Sequence, residues 1–322
     1  MSQLWQVKEN KIKSIHLTVA QIQVLLLRLL KKNKKKKRKG LKIFLFVLLF
    51  FIIILGAVGG KVYFDLKTAV TKAYVNPPTQ MTSVSLKKKE AFTTAILGIS
   101  KIDEKDVLVS ANLAATNPRL QQTTVINLST SAILPDKQTL LNIYNSEGEA
   151  AVIKEMEKLL QVKINKFVRI ELDQMGELVQ AIGGVSIQNA NEFTAQGFKF
   201  PQGTVALNKA EEVAAYFTLL NAGDTKKDFA RQQEVVMAVV SKLKSPRVLI
   251  RHYGQILTAF PKVFKTSFNF ENVKALALNY HGAIRIKKIN VHSSKVAGQS
   301  EVTAISQANL DLAKIQFQES LK

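Results

Sequence analysis

The 322-residue chain has no cysteine. That excludes a disulfide framework, a zinc–thiolate site and a cysteine nucleophile, and by itself says little about compartment. Histidine is nearly as scarce. His16, His252, His281 and His292 are too scattered to suggest a metal cluster or a catalytic base. Acidic residues number 24 against 46 Lys and Arg, a formal net charge of +22. No Walker loop, GxSxG elbow or dinucleotide fingerprint is present, and no internal repeat is visible.

Charge and hydropathy are unevenly placed. Thirteen of the Lys and Arg and one Glu precede residue 43, so +12 of the charge belongs to that arm and +10 to the rest. From Ile43 to Gly60 there is no charged residue. A bilayer core needs about twenty apolar residues in a helix, so the reading is a transmembrane anchor over residues 43–64. A basic run beside a single span stays cytoplasmic, which predicts an N-in, C-out single-pass protein. The long basic leader and the lack of a small-x-small cleavage site favour an uncleaved anchor over a signal peptide.

Lys34, Lys35, Lys36, Lys37, Arg38 and Lys39 are expected to hold anionic lipid of the inner leaflet, each contributing roughly 1 kcal/mol near the surface. The run has no interleaved aromatics and no recognition helix, so nucleic acid is not an expected partner. Ile12, Ile15, Val19, Ile22, Leu26 and Leu29 recur at helical spacing. They suggest an amphipathic helix within the cytoplasmic arm, residues 1–42. The modest positive balance of the remainder suits a polyanionic substrate or the wall, or a bland lysine-rich surface.

After the anchor, residues 65–90 read as a tether broken at Asn76-Pro77-Pro78. Residues 91–294 read as one domain, and 295–322 as a tail ending in a helix over Ala308–Leu321. Strands are expected at Thr94–Leu97, Val107–Leu113, Thr123–Leu128, Phe167–Leu172, Val185–Gln188 and Ile284–Val291. Helices are expected near Ala150–Leu160, Gln174–Ile182, Lys209–Leu219, Phe229–Leu243, Pro246–Phe260 and Phe270–Tyr280. Such alternation predicts an α/β fold, a mixed central sheet with helices on both faces. Residues 164–187 are the most legible stretch. Phe167, Ile170 and Leu172 form a β-prone run, then Met175, Leu178, Val179 and Ile182 fall at helical spacing. Gly183-Gly184 ends the helix and Val185-Ser186-Ile187 resumes an extended segment, so the unit reads β-α-β.

This unit and its surroundings resemble the LytR-CpsA-Psr family of membrane-anchored cell-envelope proteins. Leu140-Leu141-Asn142-Ile143-Tyr144 resembles the family's KLNxAY stretch, and Ala151 to Val168 resembles VExLLGIKIDHYV. Phe200-Pro201-Gln202-Gly203 with Ala206-Leu207 resembles FPAGxxxLxGxxAL, and Arg231 to Val236 resembles RQQxVI. The order holds over roughly residues 92 to 292. The resemblance implies transfer of anionic glycopolymers, such as teichoic acid or capsule, from polyprenyl pyrophosphate to peptidoglycan. Such phosphoryl transfer uses a divalent metal, and asks the protein mainly for cations around the phosphates and carboxylates on magnesium.

The family's charged positions are largely absent. Where it reads GxDSR this chain has Leu97-Gly98-Ile99-Ser100-Lys101, and where it reads RSDT the chain has Val109 and Ser110 under the Asp-Thr pair. A gap brings Asp106 there instead. SLPRDT becomes Asn127 to Ala132, and YVRxR becomes Tyr216 to Leu220. Of DxxRxxRQ only Arg231 and Gln232 survive, with Asp228 where the middle arginine belongs. A bidentate arginine is not replaced by threonine or leucine, and losing one transition-state stabiliser costs about a hundred- to a thousandfold in rate.

The leading expectation is therefore a catalytically degenerate member that binds polyprenyl-linked glycopolymer, peptidoglycan or envelope partner proteins. The alternative is an active phosphotransferase using substitute groups. Phosphate-binding candidates are then Arg231, Gln232 and Lys101, with Lys226 and Lys227 near them. Metal candidates are Asp106, Asp224 and Asp228, holding magnesium if the chain is active; otherwise no cofactor is expected. The stretch Gly223 to Asp228 also reads simply as a solvated turn. A third expectation, a transcriptional attenuator, is disfavoured by the external position of the folded domain.

Overall fold

In the computed structural model the described residues are 59–322, apart from 103, 218–224, 244, 284 and 297–298. The arm read as cytoplasmic, its Lys34–Lys39 run and the expected anchor as far as residue 58 lie outside the described residues. Among the described residues no helix is long and apolar enough to cross a membrane.

The centre is a six-stranded sheet. β1 (Phe92–Ile102), β2 (Lys105–Asn117) and β3 (Gln122–Leu128) form an antiparallel meander. β4 (Lys166–Glu171) lies parallel to β1 on its other side. The edges are β9 (Phe264–Thr266), antiparallel to β4, and β10 (Arg285–Asn290), parallel to β3, giving the order β10-β3-β2-β1-β4-β9. This is the expected mixed sheet. Its strands are rich in residues buried on both faces, as a sheet sandwiched between helices requires.

Side-chain alternation sorts the core into two halves. Ala95, Leu97, Ile99, Leu113 and Phe167 point into one, closed by α2 (Leu140–Leu160) and the C-terminal α9 (Gln307–Glu319). Phe92, Ile96, Val168 and Ile170 point into the other. There the cover comes from α1 (Gly59–Ala73), α3 (Met175–Ala181), α4 (Ala210–Phe217), α5 (Thr225–Leu243), α6 (Pro246–Arg251), α7 (Tyr253–Val263) and α8 (Phe270–Asn279). Helices thus lie on both faces.

Three expectations need correction. The segment read as a tether begins inside α1, whose Val62, Leu66, Ala69, Val70 and Ala73 are buried in the second half of the core. Apolar residues at i, i+4, i+7, i+8 and i+11 make one face of a helix, and that face packs on the domain. The tail also belongs to the body. Leu310, Ala313 and Phe317 of α9 are buried, and Gln318 Nε2 donates to Leu160 O at 3.0 Å.

The third concerns the β-α-β unit. Its first strand and helix are β4 and α3, but β5 (Val185–Asn189) does not join the main sheet. Both edges of β4 are already taken, by β1 and β9. β5 instead pairs antiparallel with β8 (Gly203–Leu207), while β6 (Phe193–Ala195) and β7 (Phe198–Phe200) form a small hairpin between them. Gly183 and Gly184, at φ 74° and 79°, make the left-handed turn that redirects the chain. The other small ladder is β11 (Ser294–Val296) with β12 (Gln299–Ala304).

α3 and α4 cross at Gly176, where a Cβ would stand 2.7 Å from Ala210 O and 2.9 Å from its Cα. These are backbone atoms, so relief requires the helices to separate. Gly176→Ala is expected to destabilise the protein by about 2 kcal/mol in urea unfolding, despite alanine's better helix propensity.

Candidate functional site

β1 and β4 run parallel, so their C-terminal ends come together, and the start of β2 joins them through its pairing with β1. Their side chains line a cavity of about 440 Å³. β1 supplies Lys101, β2 supplies Asp106, and β4 supplies Arg169 and Glu171. The turn after β4 adds Asp173 and Gln174, and α7 and β9 add Lys262 and Lys265.

Arg169 dominates this cavity. Its Nη2 donates to Asp106 Oδ2 at 2.6 Å and its Nη1 to Glu149 Oε1 at 2.6 Å. Its Nε lies 2.7 Å from Glu171 Oε1, an ionic contact outside hydrogen-bond geometry, while Nη2 reaches the other Glu171 oxygen at 3.2 Å. The guanidinium side chain is only 20% exposed. Burial would lower its pKa, but hydrogen bonding to Asp106 and the charges of Glu149 and Glu171 together raise it further above its ordinary value. Glu149 follows Gly148, whose φ of 79° and ψ of −168° kink α2 and turn that carboxylate toward the sheet.

Asp173 is also committed. Its Oδ1 accepts from Ser100 Oγ at 3.0 Å and its Oδ2 from the Lys101 N–H at 2.6 Å, fastening the turn after β4 to the end of β1. Lys262 pairs with Glu177 at 3.0 Å, and Lys265 donates to Pro261 O at 2.6 Å. The Lys101 ammonium has no hydrogen-bond or ion-pair partner among the described residues.

Lys101 and Asp106 are thus brought together, whereas Arg231 and Gln232 sit in a second cluster on α5. The Arg231 guanidinium lies 4.4 Å from the Phe193 ring centroid and 5.6 Å from that of Tyr216. This is stacking on the β6–β7 hairpin and α4. Gln232 is buried and its Nε2 donates to Phe217 O at 3.1 Å, tying α5 to the end of α4. Burial pushes the Tyr216 phenol up to about 12 against the opposing charge of Arg231, so it stays protonated and donates to Asn189 Oδ1 at 3.2 Å. Asp224 lies outside the described residues, and Asp228 falls within α5. Lys226 and Lys227 are on the same first turns of α5.

A magnesium ion fits poorly at Asp106. Its carboxylate is held by the guanidinium at 2.6 Å, and among the described residues no three His, Asp or Glu side chains are grouped to hold a metal. Magnesium asks for near-octahedral oxygen ligands, including free carboxylates or phosphates. Chemically, the cavity is a cation already surrounded by anions. A phosphate entering beside Arg169 would meet Asp106, Glu149 and Glu171.

Sequence reasoning passed over Arg169, Glu149, Glu171 and Asp173. The readable signal was the alternation Phe167, Arg169, Glu171 on one strand face: charges at a period of two inside an otherwise buried strand demand partners.

Removing Arg169 leaves the carboxylates facing one another. Arg169→Met is expected to cost about 2 kcal/mol in urea unfolding, since breaking a half-buried ion pair from one side leaves uncompensated charge that solvent screens only in part. Burial raises the Glu149 carboxyl and outweighs the lowering by Arg169. A group raised in the folded state contributes stability below its unfolded pKa, and that contribution is lost as pH rises through the folded one. Glu149→Gln has no such loss. Its stability relative to the parent is expected to grow as pH rises above the ordinary carboxylate range, read from paired urea curves.

The LytR_cpsA_psr family model matches residues 61–322. An Enterococcus faecalis protein named polyisoprenyl-teichoic acid--peptidoglycan teichoic acid transferase TagU is 31% identical over 254 residues, covering 75% of this chain and 82% of the relative. A Bacillus subtilis protein of the same name is 24% identical over 288 residues, covering 84% and 93%. Among solved structures, B. subtilis TagV superposes with a TM-score of 0.56 at 18% identity, covering 72% of this chain and 98% of that one. At that identity the likeness shows the fold.

Proposed function

The chain belongs to the LytR_cpsA_psr family, and from that premise we propose that it acts in attaching anionic glycopolymer to the cell envelope by binding rather than by phosphoryl transfer. The ligand class is polyprenyl-linked glycopolymer or peptidoglycan, with envelope enzymes as further partners. The chain is held by the part of its apolar segment that precedes α1, residues 43–58, since Val62 and Tyr63 at the end of the segment read as the anchor pack on the domain, with the basic arm and Lys34–Lys39 on anionic lipid inside and the folded domain outside.

One observation carries the non-catalytic reading. The cavity at the ends of β1 and β4, where the family's GxDSR positions fall at Leu97 to Lys101, contains an arginine whose nitrogens are all engaged by Asp106, Glu149 and Glu171. A pyrophosphate entering there meets three carboxylates, and to receive a fork from the Nη groups it has to displace their charge-assisted bonds to Asp106 and Glu149. Lys101 remains available, but as a point charge without arginine's fork. The curated relatives support the substrate class, since their names specify transfer of teichoic acid from a polyisoprenyl carrier to peptidoglycan. The reading assigns no step to magnesium.

The test is transfer by the full chain in detergent, using a polyprenyl-pyrophosphate glycan, a peptidoglycan acceptor and magnesium, with an arginine-bearing relative as control. Retained glycan binding with no release of polyprenyl phosphate is expected. Magnesium-dependent release abolished by Arg231→Ala would replace this reading with that of an active phosphotransferase.

A further inference from the structure

The end of the sheet opposite the Arg169 cavity has different chemistry. β1 starts there, just after a 3-10 turn at Leu86–Lys88, and β2 ends there in the turn to β3. A cavity of about 310 Å³ opens among Lys89, Arg119, Gln121, Asn279, His281 and Gly282. No carboxylate lines it. Lys87, Lys88, Lys89 and Arg119 are exposed and have no ion-pair partner among the described residues. Glu90 is the neighbouring acid, and its Oε2 accepts the Ser85 N–H at 2.7 Å. Two leucines protrude from the same surface, Leu278 at 67% and Leu120 at 48% exposed.

This basic face is continuous with the N-terminus of α1. Asn279 Nδ2 donates to Leu86 O at 3.1 Å, joining the lysine turn to the end of α8. At the other end of α8 the Phe270 ring packs edge-to-face on Tyr63 at 5.0 Å. Glu271, held low by Lys274 with which it pairs at 2.5 Å, also feels Lys87 and Lys67. Beside Tyr63, Phe64 is 65% exposed. α1 is described from Gly59, inside the end of the apolar run, so on the anchoring reading the chain reaches this face from the bilayer.

We propose that Lys87, Lys88, Lys89 and Arg119, with Leu120 and Leu278, form a docking face for the anionic outer surface of the membrane that anchors the chain. Lysine and arginine near such a surface gain from its potential, and apolar side chains raised above a basic patch enter the headgroup layer. The distribution of charge favours lipid over the acidic-rimmed opposite end. Docking also fixes orientation. β1 is 11 residues long, and at about 3.3 Å per residue it holds the Arg169 cavity roughly 35 Å from this face, turned toward the envelope. The proposal rests on the anchoring reading above.

The experiment places the full chain in nanodiscs of phosphatidylcholine alone or with phosphatidylglycerol and follows amide hydrogen exchange. With phosphatidylglycerol, exchange over residues 86–90, 118–121 and 274–282 is expected to slow on the order of tenfold, the effect falling away at high salt. It is expected to vanish in the combined Lys87→Glu, Lys88→Glu, Lys89→Glu and Arg119→Glu variant, with exchange in β1 and β4 unchanged. Equal exchange in both discs overturns the docking face while leaving the anchor intact. The same protection from inorganic phosphate in phosphatidylcholine discs overturns it in favour of a soluble-anion site. A chain that co-elutes with neither disc sinks the anchor and this proposal with it.

Discussion

Arg169 ties the C-terminal end of β4 to the start of β2 and to the kinked helix α2. It sits on β4, and its three carboxylate partners arrive from β2, from the kinked helix α2 and from two residues further along β4 itself. Even a half-buried guanidinium is costly unless its donors are met, and half-buried carboxylates are costly unless their charge is. Each side therefore makes the other tolerable. The result is a fixed arrangement at the C-terminal ends of β1 and β4, the position where an α/β sheet ordinarily offers a site to ligand. The group that would best grip a phosphate there is spent on structure. That single commitment sets the electrostatics of the cavity and inclines the account toward binding without chemistry.

The opposite end of the molecule is built by a second constraint, the burial of α1. The apolar face of this helix, from Val62 to Ala73, is taken up by the domain. The face formed by the lysine turn, α8 and the turn between β2 and β3 is linked to α1 through Phe270 on Tyr63 and Asn279 on Leu86. One end of the sheet is rich in unpaired positive charge, while the other holds positive charge cancelled by acids.

Much of this was legible in the sequence. The meander strands, β4, α3, α8 and the C-terminal helix were readable because period-two and helical apolar patterns survive wherever burial is one-sided or bounded by turn residues. The family resemblance rested on short ordered motifs, and the match over residues 61–322 agrees with it. What escaped was set by tertiary choice. The pairing of β5 with β8 depended on β9 occupying the edge of β4, and three-residue β9 carries too little pattern to announce itself. α1 was overlooked because its buried face follows directly on a longer apolar run that dominated the hydropathy. Asp106 was read as a free carboxylate for metal, since nothing in linear order shows that Arg169, 63 residues away, would claim it. Gln232 was read from a matched motif as a pocket residue; it is buried, its Nε2 donates to the Phe217 carbonyl and its Oε1 has no hydrogen-bond partner among the described residues.

The most direct measurement is ¹⁵N NMR of the arginine guanidinium groups in the full chain, with the Arg169 signals assigned from an Arg169→Lys variant. The account requires resolved, slowly rotating Nη signals for Arg169 that stay in place when inorganic pyrophosphate and magnesium are added to saturation. Signals that shift with a saturable dependence on pyrophosphate would contradict it, because Arg169 would then leave its carboxylates to serve a phosphate ligand.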